Sequence, residues 1–320
     1  MKRIGVLTSG GDAPGMNAAI RAVVRSGIYY GLEVIGIHKG YNGLIHGDYE
    51  IMSARSVSDI LHRGGTILQT ARCLEFKEKP GIQKAYHMAK EIKLDGMVVI
   101  GGDGSFRGAR DLSLAGLPTI GIPATIDNDI ACTDYCIGFD TALNTARDAI
   151  DKIRDTARSH ERCSVVEVMG RDAGYIAVYV AMACGAEAAI IPEEKYDYVE
   201  DTIKKIKDGM MRGKAQNLII VAEGVGGSVE LAKKIEKETG IETRATILGH
   251  IQRGGSPTVR DRINASRMGI HAVKLLKDGV GNRVVAKKKD SIVDYDILEG
   301  LNMTKSMESE LLECSKILSM

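Results

Sequence analysis

Short runs of valine, isoleucine and leucine alternate along the chain with longer stretches whose apolar residues recur every three to four positions. The short runs are typical of buried strands and the longer pattern is typical of amphipathic helices. The predicted strands lie at 3–8, 33–38, 96–100, 118–122, 164–168, 187–191, 217–222 and 243–248. The predicted helices lie at 16–30, 81–93, 141–157, 173–184, 198–211, 229–238 and 261–277. This alternation predicts an α/β protein with mostly parallel sheets covered by helices on both faces.

The length of 320 residues is typical of two domains. No linker rich in proline, serine or charge divides the chain, and each half repeats the order of strand, glycine turn and helix. We therefore expect two lobes with a boundary near 138–140. The tail after about residue 300 is less regular and predicts one more helix. Gly15 or Asn17 is expected to start the first helix.

Composition narrows the classes of function. Hydrophobic residues make up 44% of the chain, charged residues 27%, and the net charge is +1, which gives no broad basic surface for nucleic acid. No apolar stretch is long enough for a membrane span, and the N-terminus turns polar too early for a signal peptide. The six cysteines form no CxxC pair. We therefore expect a cytoplasmic protein with reduced thiols and without a membrane or nucleic-acid partner.

Polar and glycine-rich segments follow the predicted strands. In open parallel sheets, ligands bind beyond the carboxyl ends of the strands. The segments at those ends are Thr8–Asn17, Gly101–Ser105, Pro123–Asp129, Met169–Arg171, Glu223–Gly224 and Gly249–Gly255. Since a purely structural pattern would place polar residues at both ends of the strands, this bias predicts a ligand site.

Two aspartates, Asp127 and Asp129, stand two residues apart directly after an apolar run. Like charges this close raise each other's pKa, and a metal, a proton in transit or a metal-bound polyphosphate would relieve the repulsion. The alternative is a surface turn, which favours both Asp and Asn. Asp103 lies in a glycine-rich turn, where it would repel bare phosphate but could share Mg²⁺ with it. Two of the three could serve the metal while the third acts as a general base.

The glycine-rich turns at Gly10–Gly11 and Gly101–Ser105 can cradle phosphate, although neither has P-loop or GxGxxG spacing. Arginines in or beside the predicted turns could bind phosphate in a bidentate manner. They are Arg72, Arg162, Arg171, Arg244 and Arg253. A single arginine is more often a solvated surface residue. Glu223 and His250 could bond sugar hydroxyls, with a histidine satisfied by backbone as the alternative.

Taken together, these motifs give the chain a strong resemblance, nearly end to end, to the bacterial ATP-dependent 6-phosphofructokinases. The motifs that carry it are Thr8–Asn17, Arg63–Thr66 through Ala71-Arg72, Gly101–Ser105, Thr125–Asp129, Met169–Arg171 and Gly249–Pro257. The resemblance implies two Rossmann-like α-β-α sandwich lobes with the active site in the cleft between them. The larger, ATP-binding lobe would comprise 1–138 and about 252–302, and the smaller, sugar-phosphate-binding lobe 139–251 and about 303–320.

The resemblance also implies roles in a glycolytic transfer of the γ-phosphoryl group of Mg-ATP to fructose 6-phosphate. Asp127 would take the proton of the 1-hydroxyl, Thr125 and Arg171 would steady the γ-phosphoryl group, and Asp103 and Asp129 would serve Mg²⁺. The ATP site would be lined by Gly11, Tyr41, Arg72, Cys73, Gly101, Gly102, Asp103, Gly104 and Ser105. The sugar phosphate would be held by Met169, Gly170, Glu223, His250 and Arg253, with Arg162 and Arg244 reaching it from a neighbouring subunit of a homotetramer.

An effector site for ADP or phosphoenolpyruvate is implied as well. Its residues would be Arg21, Arg25, Arg154, Glu187, Arg212 and Lys214. Arg21 and Arg25 share a helix face, where two cations repel unless an anion joins them. The sequence departs from the family at Ala54, Ala215 and Gln216, which puts the strength and sign of any effector response in doubt.

Other functions stay open at this stage. Relatives that use pyrophosphate tend to carry lysine at the position of Ala124 and aspartate at that of Gly104, so the small residues here favour ATP. An NAD-dependent oxidoreductase would need glycine spacing and a ribose-binding acid that the chain lacks. A nucleotide sensor without activity would not need a base, whereas the aspartates and Arg171 are intact.

Overall fold

The computed structural model describes residues 1–214 and 216–319. Two compact units are formed, the first from Met1–Ile126, Ile130–Thr141 and Arg253–Lys305. The second is formed from Asp127–Asp129, Ala142–Gln252 and Ser306–Met320. Each unit therefore combines segments that are distant in the sequence.

Strands and helices alternate through the described residues. The strands are β1 (Arg3–Thr8), β2 (Glu33–Ile37), β3 (Tyr49–Met52), β4 (Gly96–Gly101), β5 (Thr119–Pro123), β6 (Cys163–Val168), β7 (Ala188–Ile190), β8 (Asn217–Ala222), β9 (Thr243–Ile247), β10 (Arg283–Lys288) and β11 (Ser291–Asp296). The helices are α1 (Met16–Tyr29), α2 (Gly40–His46), α3 (Lys79–Glu91), α4 (Asp103–Leu114), α5 (Phe139–Ser159), α6 (Tyr175–Cys184), α7 (Lys205–Met211), α8 (Ser228–Thr239), α9 (Val259–Lys277), α10 (Ile297–Asn302) and α11 (Ser309–Leu318).

The sheet of the first unit has the strand order β11-β10-β5-β4-β1-β2-β3. Its central strands are parallel, with Ile4 opposite both Val34 of β2 and Gly96 of β4. The edge strands β3 and β11 run antiparallel to their neighbours. Since β4 and β5 are buried along their whole length, this sheet is covered on both faces, as parallel sheets are.

The sheet of the second unit is parallel throughout, in the order β7-β8-β6-β9. Cys163 of β6 lies opposite Asn217 of β8 and Thr243 of β9. β8 is buried along its length. The prediction of an α/β fold with mostly parallel sheets is confirmed.

All eight predicted strands are present with ends shifted by at most one residue. The sequence pattern did not predict the antiparallel edge strands β3 and β11, the strand β10 that joins β11 to β5, or the helices α2, α4 and α10. The helix expected at 198–211 begins as a π-helical turn at Val199–Lys204 and continues as α7. The predicted tail helix is confirmed as α11. Among the described residues, no helix combines the length and apolar character that crossing a membrane requires.

Gly15 is the residue that caps α1, with φ of 107°. A left-handed conformation of this kind favours glycine because other residues clash at Cβ. A Cβ at Gly15 would also lie 2.6 Å from Cγ2 of Ile137. Of the two starts predicted for α1, Gly15 is therefore correct and Asn17 lies inside the helix with a different role.

Candidate active site

The turns after β1, β4 and β5 lie at one edge of the first unit's sheet. Parallel pairing places Thr8 opposite Ile100, and Gly101 opposite Pro123. Backbone bonds continue past the strands, because the Ser9 N–H donates to the Ile100 carbonyl (3.0 Å) and the Ala124 N–H donates to the Gly101 carbonyl (2.9 Å). The sheet thus brings the turns at 8–17, 101–105 and 123–126 side by side.

Asn17 fastens the segment 63–70 to the first of these turns. Its side-chain Nδ2 donates to the carbonyls of Arg63 (3.1 Å) and Gly64 (3.2 Å), and its Oδ1 accepts from the Ile67 N–H (2.8 Å). Three residues further on, the Thr70 hydroxyl donates to the Gly10 carbonyl (2.5 Å). These bonds bring the motif at 63–66 beside the glycine turn at 10–11.

Two residues predicted for the ATP site follow that segment directly. Arg72 is exposed and Cys73 is partly buried. Because Thr70 is bonded to Gly10, the segment that carries Arg72 and Cys73 begins beside the glycine turn. The sequence prediction did not include Asn17 or Thr70, whose side chains arrange the backbone here.

The turn after β4 leads into the N-terminus of α4. A Cβ at Gly101 would lie 2.4 Å from both the Ser105 Oγ and the Ser9 carbonyl oxygen, so a side chain has no room there. By contrast, a Cβ at Gly104 would meet nothing within 4 Å. A helix N-terminus bearing backbone N–H groups favours anions, and the open space beside Gly104 leaves it accessible.

Asp103 occupies the first turn of α4 with its side chain 43% exposed. Arg107, one turn later, donates from Nε to Asp103 Oδ2 at 2.8 Å. This hydrogen bond raises the pKa of Arg107 above its usual value. An incoming cation would therefore compete with Arg107 for the Asp103 carboxylate.

Tyr41 is a buried residue and does not present its hydroxyl to an open site. The hydroxyl donates to the Ser105 carbonyl (2.6 Å), and the ring stacks on Phe76 with centroids 4.0 Å apart. Burial raises the pKa of Tyr41 well above its usual value. A Cβ at Gly108 would lie 2.7 Å from the Tyr41 ring. Tyr41 therefore supports the first turns of α4 from below.

The turn after β5 carries the predicted catalytic residues. Thr125, Asp127 and Asn128 are buried, with 8%, 6% and 4% of their surface exposed. Asn128 has φ of 51°, a conformation that asparagine adopts more readily than most residues. Asp129 is partly buried. Asp127 is thus largely withdrawn from solvent, and Asp129 partly so.

In the second unit, Glu223 fastens the turn after β6. Its Oε1 accepts from the N–H groups of Gly170 (3.1 Å) and Arg171 (2.5 Å). Arg171 is exposed and has φ of 57°, so its backbone conformation needs support. Met169 is buried just before it. The sequence predicts that Glu223 bonds sugar hydroxyls, and the structure shows that one of its oxygens accepts from this backbone turn.

The exposed residue His250 lies in a helical turn, Gly249–Arg253, that follows β9. At the opposite end of β9, Arg162 and Arg244 share one carboxylate. Glu242 Oε2 lies 2.7 Å from Arg162 Nε, and its Oε1 accepts from Arg244 Nη2 at 2.6 Å. The ion pair with Arg162 and the hydrogen bonds from Arg244 lower the pKa of Glu242. The predicted phosphate-binding pair is therefore brought together by a residue that sequence analysis missed.

Four of the predicted effector residues belong to the second unit. Glu187 is buried and pairs with Lys214, while Arg154 donates to the Cys184 carbonyl. Arg212 donates from Nε to the Asp208 carbonyl at 3.2 Å. Ala215, one of the departures from the family, lies outside the described residues. Glu187 and Lys214 are thus in contact with each other. Arg154 and Arg212 instead donate to backbone carbonyls outside the predicted effector set.

The other two effector residues, Arg21 and Arg25, lie one turn apart on α1 of the first unit. Burial and the nearby charge of Arg25 both lower the pKa of Arg21. This is the repulsion that the sequence spacing predicts, and an anion beside the pair would relieve it.

The donor set predicted for Mg²⁺ consists of two carboxylates, Asp103 and Asp129. Within residues 1–214 and 216–319, no group of three or more His, Cys, Asp or Glu side chains could hold a metal by itself. Mg²⁺ is typically bound by one or two carboxylates, substrate phosphates and water. The hard oxygen donor at Asp103, half exposed beside the N-terminus of α4, fits such a shared site.

Comparison with known proteins identifies the family. The family model described as phosphofructokinase matches residues 3–276. The chain belongs to the phosphofructokinase family. The resemblance read from its motifs is thereby confirmed.

Similar curated phosphofructokinases match over their whole length. The chain is 58% identical over 319 residues to an ATP-dependent 6-phosphofructokinase of Alkaliphilus metalliredigens, with 100% of both chains covered. It is 60% identical over 319 residues to one of Clostridium botulinum strain Hall, again with 100% of both covered.

Solved phosphofructokinases share the fold. The chain is similar to the Saccharomyces cerevisiae enzyme with a TM-score of 0.88 and 34% identity, covering all of this chain but 48% of that one. It is also similar to the Pichia pastoris enzyme in the T-state, with a TM-score of 0.90, 33% identity, and 99% and 39% coverage. The chain thus spans half or less of those two chains. A pyrophosphate-dependent enzyme of Marinobacter aquaeolei has a TM-score of 0.86 at 20% identity, covering 99% of this chain and 91% of that one, which shows the fold alone.

Proposed function

We propose that this protein is an ATP-dependent 6-phosphofructokinase, which transfers the γ-phosphoryl group of ATP to the 1-hydroxyl of fructose 6-phosphate. The products are fructose 1,6-bisphosphate and ADP. The observation that carries the proposal is the bonding of the turns after β1, β4 and β5 along one sheet edge. Full-length relatives that are 58% and 60% identical bear the name of this activity.

The first unit supplies the residues proposed for ATP. The N-terminus of α4 offers backbone N–H groups and a helix dipole to the phosphates. The glycine turn at 10–11 and the residues Arg72, Cys73 and Ser105 would complete the site. Because a Cβ at Gly104 would meet nothing within 4 Å, space is available for the remainder of a nucleotide.

Asp103 and Asp129 are proposed to hold Mg²⁺ together with the phosphate oxygens of ATP. When bound, the ion would neutralise charge on those oxygens. Asp127 is proposed to accept the proton of the sugar 1-hydroxyl as that oxygen attacks the γ-phosphorus. General bases of this kind contribute typically ~10²–10⁴-fold to the rate. Thr125 and Arg171 would steady the transferring group.

The sugar phosphate is proposed to contact Met169, Gly170, Glu223, His250 and Arg253. Glu223 uses one oxygen to hold the backbone at 170–171. Arg162 and Arg244 would bind the 6-phosphate of a neighbouring subunit, so that a homotetramer is the proposed active form. The division of labour between an ATP-binding and a sugar-phosphate-binding lobe is part of the same proposal.

Regulation by ADP or phosphoenolpyruvate is also proposed, through Arg21, Arg25, Arg154, Glu187, Arg212 and Lys214. The crowding of two cations on α1 supports anion binding in the first unit, and the exposed Lys214 paired with buried Glu187 supports it in the second. The sequence departs from the family at Ala54 and Gln216, so both the strength and the sign of the response are to be measured.

The deciding experiment is a turnover assay with fructose 6-phosphate and Mg²⁺, comparing ATP with pyrophosphate as the donor. We expect turnover with ATP and negligible turnover with pyrophosphate. The same assay with and without phosphoenolpyruvate measures the effector response. Faster turnover with pyrophosphate would overturn the choice of donor, and no turnover with either donor would overturn the proposed activity.

A further inference from the structure

A fully buried carboxylate, Asp261, lies in the first turn of α9 with 0% of its surface exposed. Its Oδ1 accepts from the Tyr135 hydroxyl (2.5 Å) and the Gly138 N–H (2.7 Å). Its Oδ2 accepts from the N–H (2.9 Å) and the hydroxyl (2.5 Å) of Thr141. A buried carboxylate is costly unless it is fully bonded, and this one has two donors on each oxygen.

The direction of these hydrogen bonds is fixed by the partners. The N–H groups of Gly138 and Thr141 can only donate. The Thr141 hydroxyl accepts from the Thr258 N–H (3.1 Å), which leaves its own proton for Asp261. Burial raises the pKa of Asp261 above its ordinary value, although the hydrogen bonds from Thr141, Tyr135 and Gly138 act to lower it. Because all four partners donate, both oxygens of Asp261 must act as hydrogen-bond acceptors.

The backbone held by Asp261 closes a loop that contains the predicted base. Ala124 and Ile137 form an isolated parallel bridge, and the Ile137 N–H donates to the Pro123 carbonyl (3.0 Å). The loop between them includes Asp127. Gly138, the next residue after the bridge, donates to Asp261. Asp261 thus acts at the base of the loop, where both of its ends meet the sheet.

The far side of the same loop is also held by hydrogen bonds. The Lys287 N–H of β10 donates to the Thr133 hydroxyl (2.9 Å), and Asp134 accepts from the Lys289 N–H (3.0 Å). The Asp134 N–H donates to the Lys287 carbonyl (2.9 Å). Hydrogen bonds to Asp261 on one side and to the turn between β10 and β11 on the other therefore restrict movement of the whole loop.

We propose that Asp261 is the positioning residue for the loop 124–137, and that it fixes the position of Asp127 through Tyr135, Gly138 and Thr141. This inference rests on the proposed function, because it assigns Asp127 the base role. Catalytic groups must be held to within a fraction of an ångström, and a displacement of about 1 Å can cost ~10²-fold in rate. Loss of the Asp261 contacts is therefore expected to lower kcat while leaving the KM values for both substrates nearly unchanged.

The first test uses Tyr135→Phe, which removes one donor and retains the ring. We expect kcat to fall ~10-fold, as a partial displacement within the range above. The matched control is Tyr196→Phe, which removes a hydroxyl bonded to Thr202 Oγ1 at 2.8 Å in the second unit and should leave kcat unchanged. Thr141→Val should also lower kcat, and Thr141→Ser, which keeps the hydroxyl, should restore it.

The second test is a double-mutant cycle with Asp127→Ser. Once the base is absent, its positioning no longer matters, so Tyr135→Phe should not lower the residual turnover further. An equal fold-loss in both backgrounds would overturn the inference, as would wild-type kcat in the Tyr135→Phe and Thr141→Val variants. Hydrogen exchange at amides 125–137 gives a readout independent of activity, with faster exchange expected in Tyr135→Phe and unchanged exchange counting against the inference. If the wild-type protein has no turnover while exchange changes as expected, the proposed function fails and the structural part of the inference stands.

Discussion

Gly11 lies directly against the guanidinium group of Arg253, although the two residues are more than 200 positions apart. A Cβ at Gly11 would lie 2.6 Å from Arg253 Nη1, and the same nitrogen donates to the Asp12 carbonyl at 3.4 Å. Within the first unit, a residue proposed for ATP therefore touches one proposed for the sugar phosphate. The Arg253 guanidinium can occupy this position because Gly11 has no side chain.

The first prediction is that Gly11→Ala raises the KM for fructose 6-phosphate ~10-fold. The methyl group would push Arg253 aside, and loss of one charge-assisted hydrogen bond is worth roughly 1.5–3 kcal/mol. Because the obstructed atom is the end of a flexible side chain, stability should change little. Steady-state kinetics with each substrate varied in turn measures this.

Gly300→Ala is the matched control, since a Cβ there would make only ordinary contacts of 3.6 Å with Cys132. It should leave both KM values unchanged. A rise in the KM for ATP alone in Gly11→Ala would show that the methyl group obstructs the nucleotide, and the assignment of Arg253 would be wrong.

The second prediction concerns the base. Asp127→Ser should lower kcat by ~10²–10⁴-fold, which is the usual range for loss of a general base, while binding of fructose 6-phosphate changes little. Rapid-quench or coupled assays measure the rate, and calorimetric titration of the sugar phosphate measures binding. Near-normal turnover in this variant would remove Asp127 from the mechanism.

Much of the fold could be predicted because the central strands are buried on both faces and read as continuous apolar runs. β10 could not, because its buried apolar run is only three residues long and is followed by Lys287 and Lys288. β11 could not, because Asp294 and Asp296 alternate with other residues on a partly exposed edge strand. The α4 helix was hidden by its glycines, Gly104 and Gly108. The elements that the apolar pattern predicted were therefore the buried ones, whatever their intrinsic propensity.

The candidate site divides in the same way. Its glycine turns and aspartates were predictable because parallel strands place their carboxyl ends at one edge. The residues that hold those turns were not, since Asn17 contacts backbone 46 to 50 positions away and Asp261 contacts residues 120 to 126 positions away. No local pattern of residues encodes a contact that only the folded chain creates.

The third prediction is that Glu223→Ala lowers kcat ~10-fold, by the same displacement argument. Removing the carboxylate leaves the Gly170 and Arg171 N–H groups without this acceptor, and Arg171 loses support for its positive φ. Glu223→Gln keeps an acceptor oxygen and should lose less. Steady-state kinetics, with hydrogen exchange at amides 169–171, provides the measurement.

Glu193→Ala controls for this type of bond, because Glu193 Oε1 accepts from the Gly174 N–H at 2.8 Å in the same unit. It should not lower kcat. If the two alanine variants lose activity equally, Glu223 has no special part in holding Arg171.

The fourth prediction is that Glu242→Gln lowers the KM for fructose 6-phosphate about threefold at low ionic strength. Glu242 bonds both Arg162 and Arg244, so it competes with any phosphate for the same guanidinium groups. Because exposed ion pairs are weak in water, a change of only about threefold is expected. The gain should shrink as salt screens the charges.

Glu200→Gln breaks an exposed pair with Lys204 elsewhere in the second unit and should leave the KM unchanged. A higher KM in Glu242→Gln would mean that Glu242 orients the arginines for the phosphate and does not compete with it. The oligomeric state should be checked by light scattering in both variants, because in the proposed homotetramer the phosphate belongs to a neighbouring subunit.

The fifth prediction concerns stability and pH at Asp294 of β11. Burial acts against its ionisation, but hydrogen bonds from His271 (2.9 Å) and Arg283 (2.6 Å) outweigh it and hold the pKa of Asp294 below its ordinary value of 3.8. A depressed pKa in the folded state means that the stabilisation is fully present above the unfolded value. It is lost as the pH falls through the folded value.

Asp294→Asn should therefore lower Tm at pH 7, by on the order of 1–3 °C for a partly solvated pair. The difference between wild type and variant should narrow below pH 3.8. Asp278→Asn, at a carboxylate 67% exposed, is the control and should show little difference at any pH. Calorimetric Tm values from pH 7 to pH 3 make the measurement. If the Asp294→Asn difference stays constant over that range, the carboxylate is not the source of the stabilisation, because its protonation would then have no effect.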